Sequence, residues 1–309
     1  MLDYPLLAAL AAVIREGGFE RAAARLGVTP SAVSQRIRAL EERVGAALVV
    51  RSQPPVPTEA GARLCAHVER VRLLEGELAA DLPALAGPGP GAPALPVAVN
   101  ADSLGSWFLP AAARFSEATG ALLHLLLDDE DHTAARLRSG EVLAAVTADP
   151  AAVPGCRTRP LGALRYVACA SPAFMARHFP QGVTAAALAR APVLQFDRKD
   201  GLQARWLRRH LDLPLAAPTH QVPSTQGFLD ASLLGLGWAL HPVPLAAAPL
   251  AAGRLVELLP GAALEVPLHW QHARLGARLL EALTREVAAE ARRSLIAPDA
   301  GIAGLAGEG

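Results

Sequence analysis

The sequence predicts an α+β chain with a winged helix-turn-helix at its N-terminus, then one long helix, then a larger α/β domain. Three observations carry this. Residues 21–51, RAAARLGVTPSAVSQRIRALEERVGAALVVR, read as two short helices around a tight turn. From Thr58 to about Leu82 apolar residues recur at steps near three and four, the period of one helix face. Beyond the Pro/Gly-dense stretch GPGPGAPALP (87–96), short apolar strands alternate with helical patterns. The divisions that follow are a head over 1–58, a linker helix over 59–86, a hinge over 87–96, an α/β domain over 97–295 and a flexible tail over 296–309.

The first helix spans Tyr4–Glu16, with Leu6, Leu10, Val13 and Ile14 inward, and Gly17 and Gly18 stop it. A second, from about Glu20 to Leu26, buries Ala23 and Leu26 behind Phe19. Gly27 supplies a left-handed turn, and Thr29 caps the next helix with Pro30 at its first position. On that helix Val33, Ile37, Leu40 and Val44 form one apolar stripe. Ser31, Gln35 and Arg38 share the opposite face, with Ser34 beside them. Small or forked hydrogen-bonding side chains of this kind reach base edges and phosphates in a major groove. Residues 48–57, LVVRSQPPVP, read as a short wing whose prolines stiffen it.

The linker's apolar seam of Leu64, Val68, Val71, Leu78 and Leu82 suits packing against a symmetry mate. In the α/β domain the strand candidates are 95–99, 122–127, 143–146, 166–170, 193–196 and 238–241. The helix candidates are 109–119, 133–139, 171–178, 201–211, 225–234 and 273–293. At 200-odd residues this domain has room for two lobes about a cleft, with binding at strand ends.

Composition narrows the function. At 309 residues and 52% hydrophobic content the chain has ample core. Formal net charge is zero, so any attraction for DNA comes from local geometry, such as Arg36, Arg38 and Arg51 around the reading helix. Cys65, Cys156 and Cys169 are widely spaced, which argues against a disulfide framework or zinc site and fits a reducing cytoplasm. No apolar run reaches the ~18 residues that cross a bilayer. No GxSxG, HExxH, P-loop or GxGxxG occurs, and no local catalytic arrangement is seen, so an enzyme is not expected. His269 and His272 stand at i and i+3, a possible metal pair on a helix without a third ligand; core or surface histidines are the simpler reading.

The stretch AAARLGVTPSAVSQRIRALEERVGAALVVR, with PTEAG at 57–61, resembles the LysR-type transcriptional regulators. VIREGGFERAA (13–23), PVAVNADSLGSWFLP (96–110), LRSGEVLAAV (137–146) and the VP-terminated wing look like the ArgP/LysG branch, whose members respond to basic amino acids. The resemblance implies a winged helix-turn-helix, a dimerising linker helix and a two-lobed effector domain similar to periplasmic binding proteins. Two positions depart from it: Pro30 stands where many relatives carry Gln, and Val49 where a Phe is common.

It further implies a helix-turn-helix from Phe19 to Arg38 in which Ser31, Ser34, Gln35 and Arg38 read bases, with Arg36 and Arg51 on phosphates. Two such heads in a homodimer, or a dimer of dimers, would read an interrupted dyad in double-stranded DNA, with RNA polymerase as a further partner. For the effector, the helix-start junctions VNADS (Asn100, Ser103), which precedes a helix at Trp107 or Leu109, and VPST (Ser224, Thr225) offer N–H groups and hydroxyls to a carboxylate, while Asp102 and Glu130 are the carboxylates expected to face the cleft. The acidic run 128–131, with Asp129 and Glu130, offers carboxylates to a cationic side chain, and Thr147 and Asp197 are further strand-end candidates. Trp107 and Trp270 either wall the pocket or belong to the core. No cofactor is implied, and the effector is L-lysine or L-arginine. A different small carboxylate, or ligand-free architectural DNA binding, stays open as an alternative.

Overall fold

Side-chain caps and left-handed glycines set the helices of the head. The computed structural model describes residues 3–82, 93–127 and 133–297. Helix α1 (Tyr4–Glu16) starts where the Asp3 carboxylate accepts from the Leu6 N–H, and ends at Gly17 with φ +65°. Helix α2 (Phe19–Leu26) ends the same way at Gly27. Helix α3 (Pro30–Val44) begins at Thr29, whose hydroxyl oxygen accepts from the Ala32 N–H at 3.2 Å. Strands β1 (Val49–Val50) and β2 (Val56–Pro57) pair antiparallel as the wing. Helix α4 (Glu59–Asp81) starts at Thr58, which also donates to the Ala47 carbonyl and so ties wing to linker.

Leu7, Leu10, Val13, Ala22, Ala23, Val33, Ile37, Leu40 and Leu48 close one core in the head. Val44, expected on the same stripe, is 42% exposed. Residues 42–47 are all exposed, so the last turn of α3 has nothing to pack against.

The second domain runs β3 (Ala94–Val99), α5 (Ala101–Ser103), a π-helical turn (Leu104–Phe108), α6 (Leu109–Thr119), β4 (Leu122–Leu127), α7 (Thr133–Ser139) and β5 (Ala144–Thr147). It continues with β6 (Cys156–Ala170), α8 (Pro172–His178), α9 (Ala185–Leu188), β7 (Val193–Gln195), α10 (Leu202–Leu211) and β8 (Thr219–Gln221). It closes with α11 (Thr225–Leu233), β9 (Ala239–Pro242), α12 (Val243–Ala251), β10 (Val256–Glu257), β11 (Leu264–Ala273) and α13 (Arg278–Ser294).

In the main sheet β3 lies parallel between β4 and β5, and β11 runs antiparallel to both β5 and β6. The later half of β6 takes β9 and β10. Strands β7 and β8 form a small parallel sheet. The first lobe is built on β3, β4 and β5 and the second on β7 to β10, and the two long strands β6 and β11 run between them. Their register breaks where Leu268 pairs Gly162 and His269 pairs Pro160, leaving Leu161 bulged. Gly162 there has φ +125°, and a Cβ on it would sit 2.5 Å from the Ile296 carbonyl oxygen. This is the joint between the lobes.

Several expectations change. The helix expected over 273–293 begins only at Arg278, and its first predicted residue ends β11. His269 and His272 lie on that strand, where positions three apart point to opposite faces, so they form no helical pair. No group of three metal-ligating side chains exists among the described residues. The hinge expected over 87–96 is too long, since 94–96 already belong to β3. Ile296, assigned to the tail, bridges to Ala163. Residues 298–309 lie outside the described residues.

Helix α4 joins the parts. Val68 enters the head core and Leu73 the core of the second domain. Near its end Asp81 pairs with Arg278 at 2.8 Å, and Glu77 Oε1 accepts from the Leu279 N–H.

Candidate nucleic-acid interface and ligand cleft

Burial of Val33, Ile37 and Leu40 turns the other face of α3 outward. Ser31, Gln35 and Arg38 are exposed there, and Ser34 and Arg36 half-buried beside them. Arg51 is exposed directly after β1. Arg36, Arg38 and Arg51 make no ion pair among the described residues, so their charge is free for phosphates. Ser31 Oγ shares a hydrogen bond with Thr29 Oγ1 at 2.9 Å, which holds it at the helix start. Pro30 costs the helix nothing, because the first turn needs no N–H from it.

The cleft is built at the carboxyl ends of β3 and β5. Asn100 caps the helical run beginning at Ala101, its Oδ1 accepting from the Ser103 N–H at 3.0 Å. Thr147 stands level with Asn100 because Val99 pairs Val146; it is buried, and its Oγ1 accepts from the Asp149 N–H. Asp102 keeps part of its surface open. Its Oδ2 accepts from the Tyr166 hydroxyl at 2.8 Å, a bond from β6. Burial pushes its carboxyl up to about 6, the Tyr166 bond acting against that and the charge of Asp200 adding to it.

Asp200 thus brings a second carboxylate from the other lobe. Its Oδ2 accepts from the Phe196 N–H (2.9 Å) and Gln203 Nε2 (3.2 Å), and its Oδ1 from the Leu202 N–H (3.1 Å). Gln203 is fully buried, and its Oε1 has no donor. Ser103 Oγ is likewise buried without a partner. Thr225 closes the far side: a Cβ on Gly105 would stand 3.0 Å from Thr225 Cγ2, so the lobes touch across these two residues. Ser224 caps α11, accepting from the Gly227 N–H at 3.2 Å. The arrangement offers two acids and an unpaired acceptor, a set suited to a cation.

Residues 5–62 match the family model described as bacterial regulatory helix-turn-helix protein, lysR family. Residues 90–294 match the LysR substrate binding domain. The chain belongs to the LysR family. Within it the chain falls in the ArgP/LysG branch. It is 47% identical to the transcriptional regulator ArgP of Pseudomonas aeruginosa over 296 residues, covering 96% of this chain and 98% of that one. The crystal structure of ArgP from Mycobacterium tuberculosis is similar with a TM-score of 0.83 at 44% identity, covering 96% of this chain and all of that one. LysG from Corynebacterium glutamicum, solved with bound effector Arg, is similar with a TM-score of 0.72 at 38% identity over the same shares. This chain is a DNA-binding LysR transcriptional regulator with an effector-binding domain, and the relatives it matches are transcriptional regulators.

Asn100, Asp102, Ser103, Thr147 and Thr225 stand around the cleft. Trp107, expected as a cleft wall, is 1% exposed and packs edge-on against Phe108 at 5.9 Å. Trp270 is fully buried too. Asp197 faces its own turn, its Oδ1 accepting from the N–H groups of Lys199 and Asp200. The acid that senses Asp102 is Asp200, three residues on. Asp129 and Glu130 lie outside the described residues. Tyr166, Asp200 and Gln203 escaped sequence reasoning, since β6, the loop after β7 and α10 meet only in space. The DK-rich turn before α10 was the available signal for Asp200.

Proposed function

We propose that this regulator binds a basic amino acid, L-arginine or L-lysine, in the cleft between Asp102 and Asp200, and that binding changes how two α3 helices sit on DNA. One observation carries the reading: each lobe contributes one carboxylate, and the buried Gln203 Oε1 beside them lacks a donor. A guanidinium or ammonium neutralises both acids and supplies donors, while the α-carboxylate takes the N–H groups and hydroxyls at the Asn100–Ser103 helix start. Ligation across the cleft favours the lobe arrangement that makes both sets of contacts.

Two copies join along α4 in this reading. Leu74, Leu78 and Leu82 stand exposed by 41–50% at four-residue spacing, and covering what remains of each contributes about 0.7–1.5 kcal/mol. A dimer of dimers on an interrupted dyad follows the same symmetry. Resemblance to the ArgP/LysG branch extends the reading to activation of a basic amino acid exporter gene through RNA polymerase, in the cytoplasm where the DNA lies.

Calorimetry on the full chain with L-arginine, L-lysine and L-glutamine tests the effector. Heat with either cationic amino acid and none with glutamine is the expected result. No heat with either discards the assignment, and equal glutamine binding discards the role of charge.

A further inference from the structure

Where the linker helix meets the first lobe, the chain encloses a cavity of about 240 Å3 that neither the cleft nor the DNA face uses. Three arginines converge on it: Arg70 from α4, Arg138 from α7 and Arg274 from the end of β11 onward. Leu137, Gly155 and Cys156 complete much of the wall, and no carboxylate lines it. None of the three arginines makes an ion pair among the described residues. Arg274 Nε donates to the Cys156 carbonyl at 3.1 Å, which holds that guanidinium in place. Arg70 Nε is buried and has no acceptor at all.

Arg70 is also closely packed. Gly140, with φ +74°, turns the chain so tightly under α4 that a Cβ there would lie 2.5 Å from Ala66 Cβ and 3.0 Å from Arg70 Nη2. Helix and turn therefore clamp the Arg70 side chain. Like charges held together in a partly enclosed space repel, and a buried donor without an acceptor is costly. An anion in the cavity offsets the repulsion among the three guanidinium groups.

We propose that this joint binds a compact oxyanion carrying at least two negative charges, of the phosphate or polycarboxylate kind, which ties the DNA-bearing linker helix to the first lobe. Arg70 belongs to the linker, whereas Arg138 and Arg274 belong to the lobe, so the bound anion spans the joint.

The test uses the full chain with inorganic phosphate and, separately, citrate, each against sodium chloride at matched ionic strength. Thermal unfolding and calorimetry are the readouts. The expected result is a saturable rise in unfolding midpoint beyond that given by chloride, and a Kd raised about tenfold or more in R138Q and in R70Q. Tighter phosphate marks a phosphoryl ligand, and tighter citrate a carboxylate one. In R138E the protein carries its own counter-charge, so the unfolding midpoint without added anion stays at or above the parent's and the phosphate response disappears. A response no larger than that of chloride overturns the proposal. So does an undiminished response in R138E or R70Q, which would place the anion elsewhere.

Discussion

Asp102 makes the chemistry of the cleft measurable. Burial moves its carboxyl from an ordinary 3.8 to about 6. At about 1.4 kcal/mol per pH unit, ionising it inside the fold costs about 3 kcal/mol at most, less to the extent that its open surface is screened. The sign follows from proton counting. Between pH 3.8 and 6 the unfolded chain has released this proton and the folded chain retains it, so stability falls as pH rises through that window and is flat above it. His241 acts oppositely. Burial holds its ring down to about 4, neutral against Ser232 at 2.8 Å, so the unfolded chain binds the extra proton and stability rises from pH 4 to 6.5.

The two slopes oppose each other, which makes the difference between parent and D102N the quantity to read. The assay is urea denaturation at pH 4, 5, 6 and 7 followed by tryptophan emission; all four tryptophans lie beyond residue 100, so the signal reports the effector domain. D102N gains on the parent from pH 4 to 7, by up to about 3 kcal/mol without effector. With arginine present the order reverses, because only the ionised carboxylate pairs with the cation, and parent affinity for arginine falls toward tenfold per pH unit below about 6. Equal pH slopes for parent and D102N, or a D102N protein less stable than the parent at pH 7 without ligand, would refute the reasoning.

Other outcomes follow from the same contacts. Gln35→Ala and Arg38→Ala each cost about 1–3 kcal/mol of operator discrimination with arginine binding unchanged, read by gel shift against mismatched sites. Gly61→Ala drives a Cβ to within 2.0 Å of the Leu48 carbonyl oxygen; a loss of more than about 3 kcal/mol in the head, measured as early loss of DNA binding on heating, is expected. Gly105→Val props the lobes apart at Thr225, lowering arginine affinity about tenfold while urea denaturation shifts by less than about 1 kcal/mol.

Local chemistry made much of the head readable from its residues. Thr29, Pro30, Gly17 and Gly27 act on their immediate neighbours, so caps and stops declare themselves in sequence. The stripe Val33–Ile37–Leu40 needs only helical periodicity. The same logic recovered β4 and α6 with their full bounds, and α4 from its cap at Thr58. It failed for β11 and the first part of β6, two long strands whose inward residues are set by partners about 100 positions away, so neither carries a clean local period.

The residues of α3 alone determined which side chains face outward, since a helix's period assigns its faces before any packing. The cleft was decided only in three dimensions. Burial in the folded domain raised the Asp102 carboxyl, the charge of Asp200 from the opposite lobe adding to the shift and the Tyr166 hydroxyl from β6 opposing it, and Trp107 became core because α12 and α13 pack against its turn. Burial and charge coupling depend on distance through space, and no spacing along the chain records that distance.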